Sequence, residues 1–137
     1  MNEVYHVDIQ ATAAYKDIYT QPCDCVYCRN FRKTFASECP QAFEVLRGFG
    51  LELDSALDII DYSWNATGDR REYYAYFSVK GTLEKDGLII HRGDAKITLF
   101  QLDSPDLVYA NTGMEAPCFV AEVRTELPWR IEERPQD

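Results

Sequence analysis

An α+β fold, an antiparallel sheet with a two-helix insertion at about residues 24–50, is predicted by three features of the sequence. The chain opens on a period-two stretch, continues with apolar residues at helical spacing, and from residue 56 runs through alternating stretches divided by Gly-Asp and Asp-Gly turns. The alternation is compatible with a sheet that curls toward a barrel or a sandwich.

The elements follow in order. Residues 4–10 place Tyr5, Val7 and Ile9 on one side and His6, Asp8 and Gln10 on the other, the pattern of a half-buried strand with His6 on its polar face. After Gln21-Pro22-Cys23, Asp24 is a candidate N-cap for a helix to about residue 36, on which Cys28, Phe31 and Phe35 form one apolar stripe. Pro40 suits the first turn of a second helix, with Phe43 and Leu46 inward and Gly48 or Gly50 at its end. From residue 56, Ile60, Tyr62 and Trp64 alternate with Ile59, Asp61 and Ser63, and Ala66-Thr67-Gly68-Asp69 reads as the turn of a hairpin. Its second arm, 72–79, is apolar or aromatic on both faces, as expected of a central strand. Lys85-Asp86-Gly87 and Arg92-Gly93-Asp94 read as turns, with His91 at the second of them; they set off strands near 88–91 and 95–101, and a last strand is expected at 118–126.

Length and charge exclude several functions. With 137 residues, 46% hydrophobic and 27% charged, residues 1–137 are expected to fold as a single domain around one core. The net charge of −9 repels phosphate backbones and anionic lipid, so neither nucleic acid nor a membrane surface is an expected partner. Residues 1–50 hold five basic and six acidic groups and 51–137 hold nine and 17, which gives the later strands an acidic character. The first residues lack the basic start and apolar run of a secretion signal, and a cytosolic location is expected. Five cysteines cannot all pair within one chain, so thiols or thiolate ligands are the natural reading.

Three of those cysteines, Cys23-x-Cys25-x-x-Cys28, lie within six residues, and they admit three readings. As thiolates they can surround a soft ion such as zinc, with Cys39 the nearest fourth ligand in sequence and Cys118, His6 and His91 farther off. As a reactive thiol, Cys25 at a helix start near Arg29 and Arg32 favours its charged form, with Cys28 or Cys23 as resolving partner in redox or nucleophilic chemistry. As small hydrophobes they secure a helix–turn junction, with Cys28 extending the phenylalanine stripe. This third, architectural reading leads, and no cofactor is then expected.

Asp58 and Asp61 fall on opposite faces of a strand, which argues against a shared carboxylate site. No nucleotide-loop, zinc-protease or esterase motif is present. Aromatics gather in the hairpin, and on a curled sheet Tyr62, Trp64, Tyr74 and Tyr76 are candidates to line a concave face for a small apolar or aromatic ligand.

The run Cys23-Asp24-Cys25-Val26-Tyr27-Cys28-Arg29-Asn30-Phe31, with Gly50-Leu51-Glu52, Tyr73 through Gly81, and Glu126-Leu127-Pro128-Trp129, resembles a family of small bacterial cytosolic proteins marked by Cys-x-Cys-x-x-Cys-x-Asn and a closing Pro-Trp. The resemblance spans most of the chain and implies a bacterial cytosolic protein without implying a reaction. Cys39 and Cys118 lie outside the shared pattern, which supplies three sulfur ligands and leaves Asn30 as a local backbone partner. The expectation is a non-enzymatic module that binds a protein or small molecule through its acidic sheet face or aromatic groove.

Overall fold

A computed structural model describes residues 4–15, 23–107 and 113–135; Gln21 and Pro22, which precede Cys23, lie outside them. The first strand, β1 (Tyr5–Val7), is shorter than its alternation predicts. Asp8 ends it, because its carboxylate accepts from the Ala11 N–H at 3.0 Å and starts α1 (Ile9–Ala14). Ile9 therefore leaves the strand face and is exposed.

The expected pair of helices is present as α2 (Val26–Glu38) and α3 (Pro40–Gly48). α2 buries Cys28, Phe31 and Phe35 as the stripe predicts, together with Asn30 and Thr34. α3 has Pro40 in its first turn, Ala42 and Leu46 buried, and Phe43 half-buried. Just beyond it Gly50 has φ +91°, and a Cβ there would stand 2.5 Å from the Ile9 carbonyl oxygen. Only glycine lets the exit of α3 pass so close to α1.

The remaining strands are β2 (Asp58–Trp64), β3 (Arg70–Leu83), β4 (Leu88–Arg92), β5 (Ala95–Gln101) and β6 (Cys118–Pro128). His91, expected at a turn, is instead an exposed residue within β4, opposite Lys96. All six strands form one antiparallel sheet of order β1-β3-β6-β5-β4, with β2 pairing β3 at the opposite end from β1. The sheet curls into a half-barrel. Its fold is α+β, as the sequence predicts.

The faces of the sheet follow from the register. Tyr73, Ala75, Phe77 and Val79 of β3 stand level with Thr125, Val123, Ala121 and Phe119 of β6 and form the main core with Phe31 and Phe35. On the other face Tyr76 and Val120 pack with Tyr15 and Leu57 in a smaller cluster. Asp58 pairs with Tyr76 and Asp61 with Tyr73, so these two carboxylates do lie on opposite faces. No helix among the described residues is long and apolar enough to cross a membrane.

Candidate functional site

The turn into α2 gathers Cys23, Cys25 and Cys28, whose Sγ atoms all lie within 4.8 Å of one another. Cys25, rather than the predicted Asp24, is the N-cap. Its backbone is extended at φ −68° and ψ 165°, and its Sγ accepts from the Cys28 N–H at 3.4 Å. One step earlier, Cys23 Sγ accepts from the Cys25 N–H at 3.5 Å. Sulfur thus replaces oxygen as the acceptor at this helix start.

Asp24 points outward to two arginines, 3.5 Å from Arg32 and 4.0 Å from Arg29. Those arginines also hold the loop backbone, because Arg32 donates to the Cys23 carbonyl at 2.7 Å and Arg29 Nε to the Asp24 carbonyl at 3.1 Å. Arg29 reaches Glu133 at 2.9 Å, which fastens the C-terminal segment to the same turn. The three sulfurs are therefore placed by ordinary hydrogen bonds and ion pairs.

Cys23 and Cys28 are shifted in opposite directions. The Cys25 N–H, then the neighbouring sulfurs and the Arg32 charge, pull the Cys23 thiol below its ordinary value. Burial pushes Cys28 strongly up, and the two adjacent sulfurs add to it. Cys23 and Cys25 are exposed and Cys28 is buried, so the cluster has one closed side and one side open to solvent.

Cys39 does not join the cluster, which corrects the four-cysteine ligand set. It caps the far end of α2, and 14 residues at 1.5 Å per residue place it about 20 Å from Cys25. There its Sγ lies 3.3 Å from Thr125 Oγ1, and burial raises its pKa. The intervening helix separates residues that sequence spacing alone treats as neighbours. Cys118 directs its Sγ to the Met114 carbonyl at 3.7 Å, and neither His6 nor His91 belongs to the cluster.

Asn30 is more than a local backbone partner. Fully buried, it donates through Nδ2 to the Pro128 carbonyl at 3.1 Å and the Tyr73 hydroxyl at 3.4 Å, and its Oδ1 accepts from the Arg130 N–H at 2.9 Å. Tyr73 in turn donates to the Tyr27 carbonyl at 2.9 Å. These ties hold the end of β6 against the first turns of α2. In the sequence Asn30 stands beside the apolar stripe and closes the Cys-x-Cys-x-x-Cys-x-Asn run, and nothing local points to its partners at the end of β6.

The four hairpin aromatics do not share a concave face. Between Asp61 and Trp64 the register slips, so that Tyr62 and Ser63 together oppose Glu72. Trp64 consequently crosses to the Arg71 side, where its ring lies 5.0 Å from the Arg71 guanidinium and 5.2 Å from Trp129. Tyr62 and Tyr74 stay together on the other face at 4.3 Å, and Tyr76 there is fully buried. No protein family, curated protein or solved structure matches the chain.

Proposed function

We propose that the protein is a non-enzymatic binding module whose Cys23, Cys25 and Cys28 thiolates take one thiophilic ion, zinc foremost, with the fourth coordination position left to water. Sulfur spacing carries this reading. Tetrahedral zinc with Zn–S bonds of about 2.3 Å sets its sulfur ligands roughly 3.8 Å apart. Three sulfurs already within 4.8 Å need to close by no more than about 1 Å. An all-thiolate donor set suits soft ions over magnesium or calcium.

A closed structural zinc takes four protein ligands, and among the described residues only three gather here. The open position and the exposure of Cys23 and Cys25 favour an ion that enters and leaves over one that holds the fold together. A bacterial cytosol, which keeps thiols reduced, is the setting this reading calls for, and the net charge of −9 argues against nucleic acid or anionic membrane as partner.

Cadmium titration of the reduced protein tests the proposal through the thiolate-to-metal charge-transfer band. One equivalent saturates the band, Cys23→Ser and Cys28→Ser each weaken binding at least tenfold, and Cys118→Ser leaves it unchanged. Absence of the band in excess cadmium overturns the proposal.

A second reading rests on the same proximity: thiol redox or nucleophilic chemistry at Cys25, with Cys28 or Cys23 as partner. Two adjacent thiols and one hydrogen peroxide give a disulfide and two waters. Rapid loss of two hydrogens per chain under peroxide, in protein that binds no cadmium, favours this second reading.

A further inference from the structure

The sheet face turned away from α2 and α3 holds a cavity of about 390 Å³ lined by residues that include Tyr74, Ile89, Lys96, Phe100, Glu122 and Arg124. Two adjacent cross-strand rows form its floor. Tyr74, Arg124 and Lys96 stand side by side on β3, β6 and β5, and the next row is Tyr76, Glu122, Thr98 and Ile89. Arg124 and Lys96 are thus like charges directly opposite one another, an arrangement that destabilises a sheet unless an anion answers both. The Arg124 guanidinium lies 4.2 Å over the Tyr74 ring, and among the described residues neither cation is in an ion pair. That is notable in a chain where acids outnumber bases 23 to 14.

One row away stands a carboxylate. Glu122 is 6% exposed, and burial raises its pKa while the Tyr76 hydroxyl and Lys96 oppose the rise. Asp106, on the loop after β5, adds a second acid to the wall, and Ile89 and Phe100 supply apolar surface. Residues two apart on one strand face are about 6.6 Å apart. One small molecule can therefore touch both the Arg124–Lys96 row and Glu122.

A simple carboxylate would satisfy the two cations but face Glu122, and a simple amine would do the reverse. A molecule bearing both charges on one carbon answers the whole floor. We propose that this cavity binds a free α-amino acid with an apolar side chain, its carboxylate between Arg124 and Lys96, its ammonium on Glu122 and its side chain against Ile89 and Phe100. The volume lies within the usual range of small-molecule sites. The site is independent of the cysteine corner, since its residues occupy the opposite face of the sheet from the helices.

Amide-resolved NMR titration of the full chain with L-leucine and L-phenylalanine tests it, with 3-phenylpropionate and 2-phenylethylamine as single-charge controls. Saturable shifts at Lys96, Glu122 and Arg124 with an amino acid, and binding of both controls at least tenfold weaker, are the expected result. Lys96→Met, a change at a surface-reaching side chain, weakens amino-acid binding tenfold or more, and Glu122→Gln removes the preference for the amino acid over 3-phenylpropionate. No saturable shift with either amino acid, equal binding of a control, or undiminished binding by Lys96→Met overturns the proposal.

Discussion

On the helix-covered side of β3, Tyr73, Ala75, Phe77 and Val79 are all fully buried, whereas on the reverse side Tyr76 and Ser78 are buried and Tyr74 reaches solvent. The same strands continue the contrast. Under the helices β6 and β5 present Ala121, Val123, Ile97 and Leu99; on the reverse they present Glu122, Arg124, Lys96 and Thr98. On the reverse face the acidic character expected from composition is interrupted, since the Arg124–Lys96 row stands next to the row of Glu122. Two amphipathic helices make one side an interior. The other side combines a smaller buried cluster, Tyr76 and Val120 with Tyr15 and Leu57, with the charged row that the proposed ligand would answer.

The sharpest way to break this comparison is to cut into both sides. Phe35, fully buried and stacked 5.1 Å from Phe31, should lose about 3–5 kcal/mol of stability on Phe35→Ala, measured by urea unfolding. Ile89→Ala, on the reverse face and 48% exposed, should stay within about 0.5 kcal/mol. Equal losses at the two positions would mean that the faces are not distinct.

Next in size is the buried charge beside the hairpin bulge. Arg71, its side chain 6% exposed, bonds Asp61 and lies between the rings of Tyr27 and Trp64. Asp61→Ala takes a carboxylate from that guanidinium, and a loss of about 1–3 kcal/mol is expected, smaller than for a fully buried pair because Asp61 is itself partly exposed. Asn30→Ala should cost about 1–3 kcal/mol by leaving the Arg130 N–H and Pro128 carbonyl without their partner.

The smallest effect concerns Asp69 in the hairpin turn. The Thr67 hydroxyl, then the Asn65 amide, hold its exposed carboxyl below the usual carboxylate range. A depressed folded-state pKa contributes stability above the unfolded value and loses it as pH falls through the folded one. Thermal unfolding should therefore show Asp69→Ala slightly less stable than wild type at neutral pH, with the gap closing in acid.

Much of the fold was legible because its signals are local. The stripe Cys28, Phe31 and Phe35, Pro40 at a helix start, and the Gly-containing turns each report on a few adjacent residues, and each element appears near its expected place. The early strand ran long because a cap at Asp8 redirects the chain where alternation alone continues. The candidate sites were less legible. Trp64 changes face through a bulge that a strict count of two cannot register, and Cys39 is set apart by the full length of α2. The row of Arg124 and Lys96 exists only once β6 lies between β3 and β5, an order that no pattern within a single strand encodes.

The position of the indole rings has a practical consequence. The chain has two tryptophans, and Trp64 and Trp129 meet edge to face, with Trp129 also 5.9 Å from Tyr27, the neighbour of Cys28. Indole emission therefore reports from this one corner, whereas near-ultraviolet dichroism adds the signals of the nine tyrosines. The chain carries its own optical gauge for whatever happens at the start of α2.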